Sequence, residues 1–164
     1  KGHKSKTQPH GSAKDPVRPL SLSLASGASY IARTAAVNPR QAKEIIIEAI
    51  EHDGFAHVDF LTQCPTWNKD AKEYVPYTDV QDDDEFDFDV TDRREAADAM
   101  HEAESRLWEG EVLTGRFYHD ADRLSYGEEK RNVGEMPEEP LAERYFDEDA
   151  EWERTADELI DRHT

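Results

Sequence analysis

The clearest hydrophobic pattern begins at Ser29. Ser29-Tyr30-Ile31-Ala32-Arg33-Thr34 reads as a strand, and Asn38-Pro39 then supplies a helix N-cap with proline at the first helical position. Ala42, Ile45, Ile46, Ala49 and Ile50 recur at the three- and four-residue spacing of one helical face. Asp53-Gly54 stops that helix, and Phe55-Ala56-His57-Val58-Asp59-Phe60-Leu61 forms a second strand. Strand, helix, strand with short joins predicts a βαβ unit with parallel strands and a right-handed crossover.

The flanking pattern is weaker. Residues 1–19 mix five basic residues (Lys1, Lys4, Lys6, Lys14, Arg18) with glycines and prolines, which predicts a loop. Leu20, Leu22 and Leu24 alternate with serines, as in a strand, yet Pro19 before a small-residue run equally suits a short buried helix. Residues 65–91 read as irregular. Thr91 is expected to cap a helix over roughly 92–109 whose buried stripe is Ala96, Met100, Ala103 and Leu107, with Gly110 ending it. Val112-Leu113-Thr114-Gly115-Arg116-Phe117-Tyr118 reads as an edge strand, and a last amphipathic helix over roughly 148–162 carries Trp152, Ala156, Leu159 and Ile160.

Composition narrows the setting. The chain has 164 residues, of which 36% are hydrophobic and 35% charged. No apolar run approaches the roughly 18 residues of a membrane-spanning helix. No charged-then-apolar leader follows Lys1, so no export signal is expected, and the lone Cys64 fits a reducing cytoplasm. A formal net charge of −18 argues against nucleic acid and anionic membrane as partners, because both are polyanions. The charge is uneven: residues 1–69 hold 9 Lys and Arg against 6 Asp and Glu, whereas residues 70–164 hold 11 against 32. Carboxylate excess with scarce lysine looks like the solvated surface of a salt-adapted protein, and the aromatics of the acidic part argue against plain disorder.

Few residues suggest chemistry. Cys64 follows Thr62-Gln63 directly after the second strand, and ligands of open α/β sheets sit beyond the carboxyl ends of strands. A thiol there suits a metal ligand or a nucleophile, and equally a small buried hydrophobe. One cysteine cannot build a zinc or iron–sulfur site alone. The acidic run Asp82–Asp89 lacks the glycine and glutamate positions of an EF-hand and reads as a solvated loop. The seven histidines show no paired metal spacing, and His57, in mid-strand, is expected to be a hydrogen-bonded core histidine. No phosphate-binding glycine loop or nucleophile elbow occurs.

This incompleteness has a counterpart in a known family. Pro16-Val17-Arg18-Pro19-Leu20, Ala25-Ser26-Gly27-Ala28-Ser29-Tyr30-Ile31-Ala32-Arg33, Ala49 through Asp59, and Gln63-Cys64-Pro65-Thr66-Trp67-Asn68 resemble the β subunit of 2-oxoacid:ferredoxin oxidoreductases. Leu113–Tyr118 resembles a later strand of that family, and Lys1 to Ser12 its lysine-rich loop in the pyruvate branch. The acid-loaded tail looks like a haloarchaeal member.

The resemblance implies an α/β fold. Residues 1–69 would be the C-terminal portion of a thiamine diphosphate-binding parallel-sheet domain, and residues 70–164 an acidic α-helical and irregular extension with two helices and an edge strand. It also implies that Leu20–Ala25 is helical. The family uses thiamine diphosphate, Mg²⁺ and a [4Fe–4S] cluster, most of whose ligands lie outside this chain; Cys64 matches the fourth cluster cysteine. The implied activity is oxidative decarboxylation of a 2-oxoacid, pyruvate in the branch named, to acyl-CoA and CO₂. Ferredoxin is the implied electron acceptor, and the α subunit and coenzyme A the implied partners. Two other readings compete: a non-catalytic salt-adapted interaction module using the basic loop 1–18, and an unrelated α/β enzyme with Cys64 as nucleophile.

Overall fold

The computed structural model describes Lys4, residues 8–62 and residues 77–134. Cys64 and the expected helix over 148–162 lie outside these.

The first helix, α1 (Pro19–Ala25), opens on Pro19, whose missing N–H is no loss at that position. Leu20 and Leu24, four apart, are buried on one face, while Leu22 is 58% exposed. The alternation of leucine and serine is therefore that of a helix, as the resemblance implied. Arg18, at the N-cap, provides no side-chain cap. The acceptor comes from far along the chain: the Glu104 carboxylate accepts from the Leu20 N–H at 2.8 Å and the Ser21 N–H at 3.3 Å, and from the Ser21 hydroxyl.

Next come strand β1 (Tyr30–Ala35), helix α2 (Pro39–Glu51) and strand β2 (Ala56–Leu61). Asn38 Oδ1 accepts from the Gln41 N–H at 3.2 Å, capping α2 as expected. β1 and β2 are parallel and in register from Tyr30↔Ala56 to Ala35↔Leu61, so the predicted βαβ unit is present. The helical face is narrower than the sequence suggested. Gln41, Ala42 and Ile45 are buried against the sheet, but Ile46 and Ile50 are exposed. Five apolar positions span a wider arc than one helix can press against two strands.

A three-residue strand, β3 (Tyr77–Asp79), a long helix, α3 (Arg93–Glu109), and strand β4 (Val112–His119) complete the main unit. α3 is capped by Asp92 rather than Thr91, the Asp92 carboxylate accepting from the Arg94 and Glu95 N–H groups. Ala96, Met100 and Ala103 are buried as expected, while Glu104 is buried and Leu107 only half-buried. The sheet order is β2-β1-β4-β3. β4 runs antiparallel to β1 and parallel to β3, so it is an interior strand and not the edge strand expected. Its burial explains this: Val112, Leu113 and Thr114 are all buried in succession, as in a strand covered on both faces.

Tyr30, Ala32 and Ile45 form a small core under α2. On the other face, Leu20, Leu24, Ala28 and Ile31 join Val80, Ala96, Met100, Ala103, Leu113 and Phe117 in the main core. That core takes residues from both sides of positions 69 and 70. By its contacts the chain forms two compact units, Lys1–Arg123 and Leu124–Thr164. In the second unit, α4 (Tyr126–Val133) starts with a reciprocal capping box in which Ser125 and Glu128 satisfy each other's backbone N–H groups.

Candidate functional site

β1 and β2 finish level with one another, at Ala35 and Leu61, and the Ala36 N–H still bonds the Leu61 carbonyl at 2.9 Å. This rim is the carboxyl edge of the parallel pair, where ligands of open α/β sheets sit. Cys64 follows Leu61 by three positions in sequence and lies outside the described residues.

One layer below the rim is a buried charge pair. Arg33 Nε donates to Asp59 Oδ2 at 2.8 Å, between register partners on β1 and β2. Arg33 is fully buried, and both of its Nη atoms lack a hydrogen-bond partner. His57, two residues before Asp59 and so on the same side of β2, also has a buried Nε2 without a partner. That nitrogen departs from the hydrogen-bonded core histidine expected. Gly115 opposes Arg33 in register on β4, at φ +119°, and a Cβ there would come within 2.7 Å of Asp79 Oδ1.

The other face of the sheet, under α2, carries a polar network in which the buried Arg116 Nε is left without a partner. Gln41 accepts from the Thr34 hydroxyl at 3.1 Å and donates to Asp79 Oδ2 at 2.6 Å and Thr114 Oγ1 at 3.0 Å, tying α2 to three strands. The Tyr30 hydroxyl donates to Glu48 at 3.0 Å, and Arg116 donates to the same carboxylate at 3.2 Å. Burial, and then Glu48, push the Tyr30 hydroxyl well above the usual phenol range, so it remains a donor.

At the opposite rim, Ser29 Oγ lies 2.8 Å from His52 Nε2, and the His52 and His119 rings meet edge to face at 5.3 Å between centroids. A hydroxyl within reach of an imidazole has the form of a nucleophile and base. Here Ser29 is buried beneath His52 and bonded to the Phe55 carbonyl, which makes the pair a clamp between β1 and the end of α2. Burial, and then the neighbouring His119, hold the His52 imidazole below its ordinary value. Protonation therefore favours the unfolded chain. His52 contributes stability above about pH 6.5, the ordinary histidine value, and the contribution is lost as pH falls through the folded-state value. The melting temperature of the natural chain is expected to drop over that window relative to His52→Gln, which keeps a side chain able to bond Ser29. Parallel melting curves of the two from pH 7.5 to 5 would contradict this.

Among the described residues, no group of three or more His, Cys, Asp or Glu side chains is placed to hold a metal ion. The acidic run binds itself: Asp83 accepts from the Glu85 N–H, and Asp89 accepts from both the N–H and hydroxyl of Thr91. Bonding to Thr91 holds the Asp89 carboxyl below the usual range. At the end of the basic loop, Arg18 Nη1 lies 2.7 Å from His101 Nδ1 on α3. The described donor set thus does not by itself fit an iron–sulfur cluster or a Mg²⁺–diphosphate group. Sequence reasoning did not single out Arg33–Asp59 or Glu104; the signals available were opposite charges in successive strands and an acid amid an apolar helical stripe.

Comparison with known proteins gives a consistent picture. No family model matches the chain. It is 33% identical over 124 residues to the 2-oxoacid:ferredoxin oxidoreductase subunit beta of Saccharolobus solfataricus, a match covering 73% of this chain and 41% of that protein. It is 45% identical over 65 residues to the 2-oxoglutarate synthase subunit KorB of Archaeoglobus fulgidus, covering 40% of this chain and 24% of that one. A solved 2-oxoglutarate:ferredoxin oxidoreductase from Magnetococcus marinus, with 2-oxoglutarate, coenzyme A and succinyl-CoA bound, superposes with a TM-score of 0.65 at 25% identity, over 87% of this chain and 48% of that one. The chain spans at most about half the length of these relatives. Its mixed α/β sheet, its βαβ unit and most of its sequence make it a homologue of the β subunits of 2-oxoacid:ferredoxin oxidoreductases.

Proposed function

We propose that the chain is part of the β subunit of a 2-oxoacid:ferredoxin oxidoreductase. With an α subunit, the whole enzyme would oxidise a 2-oxoacid to its acyl-CoA and CO₂ and pass the electrons to ferredoxin. The observation that carries this reading is the joint match in sequence and fold, 33% identity across 124 residues together with a TM-score of 0.65. Thiamine diphosphate, Mg²⁺ and a [4Fe–4S] cluster belong to the proposal for the whole enzyme. Within this chain we assign Cys64 as one cluster ligand, carried by the short stretch that leaves the carboxyl end of β2. The sequence resemblance favoured pyruvate as substrate. The names of the Archaeoglobus relative and of the Magnetococcus enzyme favour 2-oxoglutarate, and we adopt that reading. The acidic surface suits a salt-rich cytoplasm.

Cys64→Ser in the intact enzyme is the test. A thiolate removed from a four-cysteine cluster leaves iron with a weaker oxygen ligand, so bound iron and the cluster's visible absorbance should fall together with 2-oxoglutarate-dependent ferredoxin reduction. A variant with full iron content and natural activity would refute the ligand assignment. Faster turnover of pyruvate than of 2-oxoglutarate by the natural enzyme would overturn the substrate reading.

A further inference from the structure

Among the described residues, the buried side-chain nitrogens without a partner include both Nη atoms of Arg33 and Nε2 of His57. The Arg33 side chain is fully buried, and its one bond runs from Nε to Asp59 Oδ2 at 2.8 Å. Arginine usually meets a carboxylate side by side, with two parallel N–H bonds. Asp59 takes Nε alone, so the outward fork of the guanidinium, formed by the two Nη atoms, is left free. A buried donor without an acceptor costs free energy, and a cationic one costs more than a neutral one.

The sheet surrounds the fork with groups that do not accept from it. On this face Arg33 is flanked along β1 by Ile31 and Ala35. Its register partner on β4 is Gly115, which has no side chain. On β2 its partner is Asp59, with Leu61 on one side and His57 on the other. Helix α1 covers β1 and β2, and its buried positions are Leu20, Ser23 and Leu24. The Ser23 hydroxyl is spent on the Pro19 carbonyl at 2.7 Å. His57 stands diagonal to Arg33, within reach of a long side chain, and brings its own closed-off nitrogen to the same face. Three unpartnered nitrogens, set among apolar side chains and a glycine, have the form of an anion site.

We propose that the two Nη atoms of Arg33, with His57 as its Nε2–H tautomer, hold one small monovalent anion of the size and charge of chloride. Size and charge follow from the setting. The nitrogens are shut off from solvent in a close-packed interior, so the occupant is a single ion. A divalent phosphate or sulfate would carry a second charge into a place where the guanidinium is already shared with Asp59. Chloride accepts N–H bonds without a fixed direction, which a free fork and an imidazole supply. Asp59 keeps 17% of its side chain accessible, so water screens that carboxylate and the field of the guanidinium remains available to the ion. The same opening is the ion's way in. Bound there, it ties β1 to β2 and stabilises the folded chain in proportion to its concentration.

The test compares thermal melting of the 164-residue chain in sodium chloride and in sodium fluoride at matched ionic strength, so that the surface carboxylates are screened equally. Fluoride holds its water too tightly to enter. Chloride at about ten times its Kd should raise the melting temperature by about 3–6 °C over fluoride, and the rise should follow the logarithmic dependence of a single site. Arg33→Met should abolish the difference. Arg33→Lys, which keeps the charge and loses the fork, should weaken chloride binding by about tenfold. Arg40→Gln, which removes an exposed cation paired with Glu44, should leave the response unchanged. In crystals grown with bromide, an anomalous peak should stand at the fork. Equal melting in the two salts overturns the proposal, as does a chloride response that survives Arg33→Met. Density at the fork without anomalous signal would be water and would overturn it too. These readouts involve neither iron, ferredoxin nor a 2-oxoacid, so their failure and the failure of the enzyme assignment are told apart.

Discussion

Asp59→Leu is expected to destabilise the chain by about 3–5 kcal/mol, the range for breaking a buried ion pair on one side. The substitution leaves the Arg33 guanidinium buried without its one partner among the described residues, and its two Nη atoms are already unpaired. Arg33→Met should cost less. Asp59 keeps 17% of its side chain accessible, so water can solvate it, and the change also removes two unsatisfied donors. The double variant, Arg33→Met with Asp59→Leu, fills the same space with apolar atoms and should return close to, or exceed, the stability of the natural pair. Urea unfolding followed by circular dichroism measures all three. The ordering Asp59→Leu, then Arg33→Met, then the double variant is the claim, and equal losses for the two single variants would refute it. Against a typical total of about 5–15 kcal/mol, the first substitution alone threatens folding.

Glu104→Ala should be the next most damaging change, at about 3 kcal/mol. Glu104 is buried on α3, and its carboxylate takes the Leu20 and Ser21 N–H groups and the Ser21 hydroxyl at the start of α1. Hydrogen bonds to a charged group are worth about 1.5–3 kcal/mol each, though bonds sharing one carboxylate do not add fully. Removing the acceptor strands donors in the core beside Leu20, and it withdraws a negative charge from the positive end of a helix dipole. Glu104→Gln keeps one oxygen for the Leu20 N–H and should lose only about half as much. Denaturation gives the totals. Hydrogen exchange of the α1 amides locates the loss, and unchanged exchange there in Glu104→Ala would show that the acid does not cap the helix.

What could be read from the sequence was what is decided locally. The β1-α2-β2 unit announces itself through Asn38-Pro39 and Asp53-Gly54, a start and a stop within fourteen residues of helix and turn. The place of β4 could not be read this way. Val112–Tyr118 has the same composition whether it borders solvent or lies between two strands, and its pairing with Tyr30–Arg33 joins positions some eighty residues apart. β3 is three residues long, too short for any periodicity. The over-wide apolar face of α2 was legible but misassigned, because a stripe of isoleucines does not say how much of it one sheet can cover. Arg33 and Asp59 became a pair only once the register was known. For the candidate site, the sequence points to the stretch carrying Cys64 and the structure to the rim from which it leaves.

The long reach of Glu104 has a consequence for how the molecule comes together. A helix of seven residues whose first turn is completed by a side chain 84 positions downstream cannot be finished by its own neighbourhood. Closing a loop of that size costs about 4 kcal/mol in chain entropy before any contact repays it. On a ribosome the opening leucines must therefore wait, unsealed, until α3 has been made.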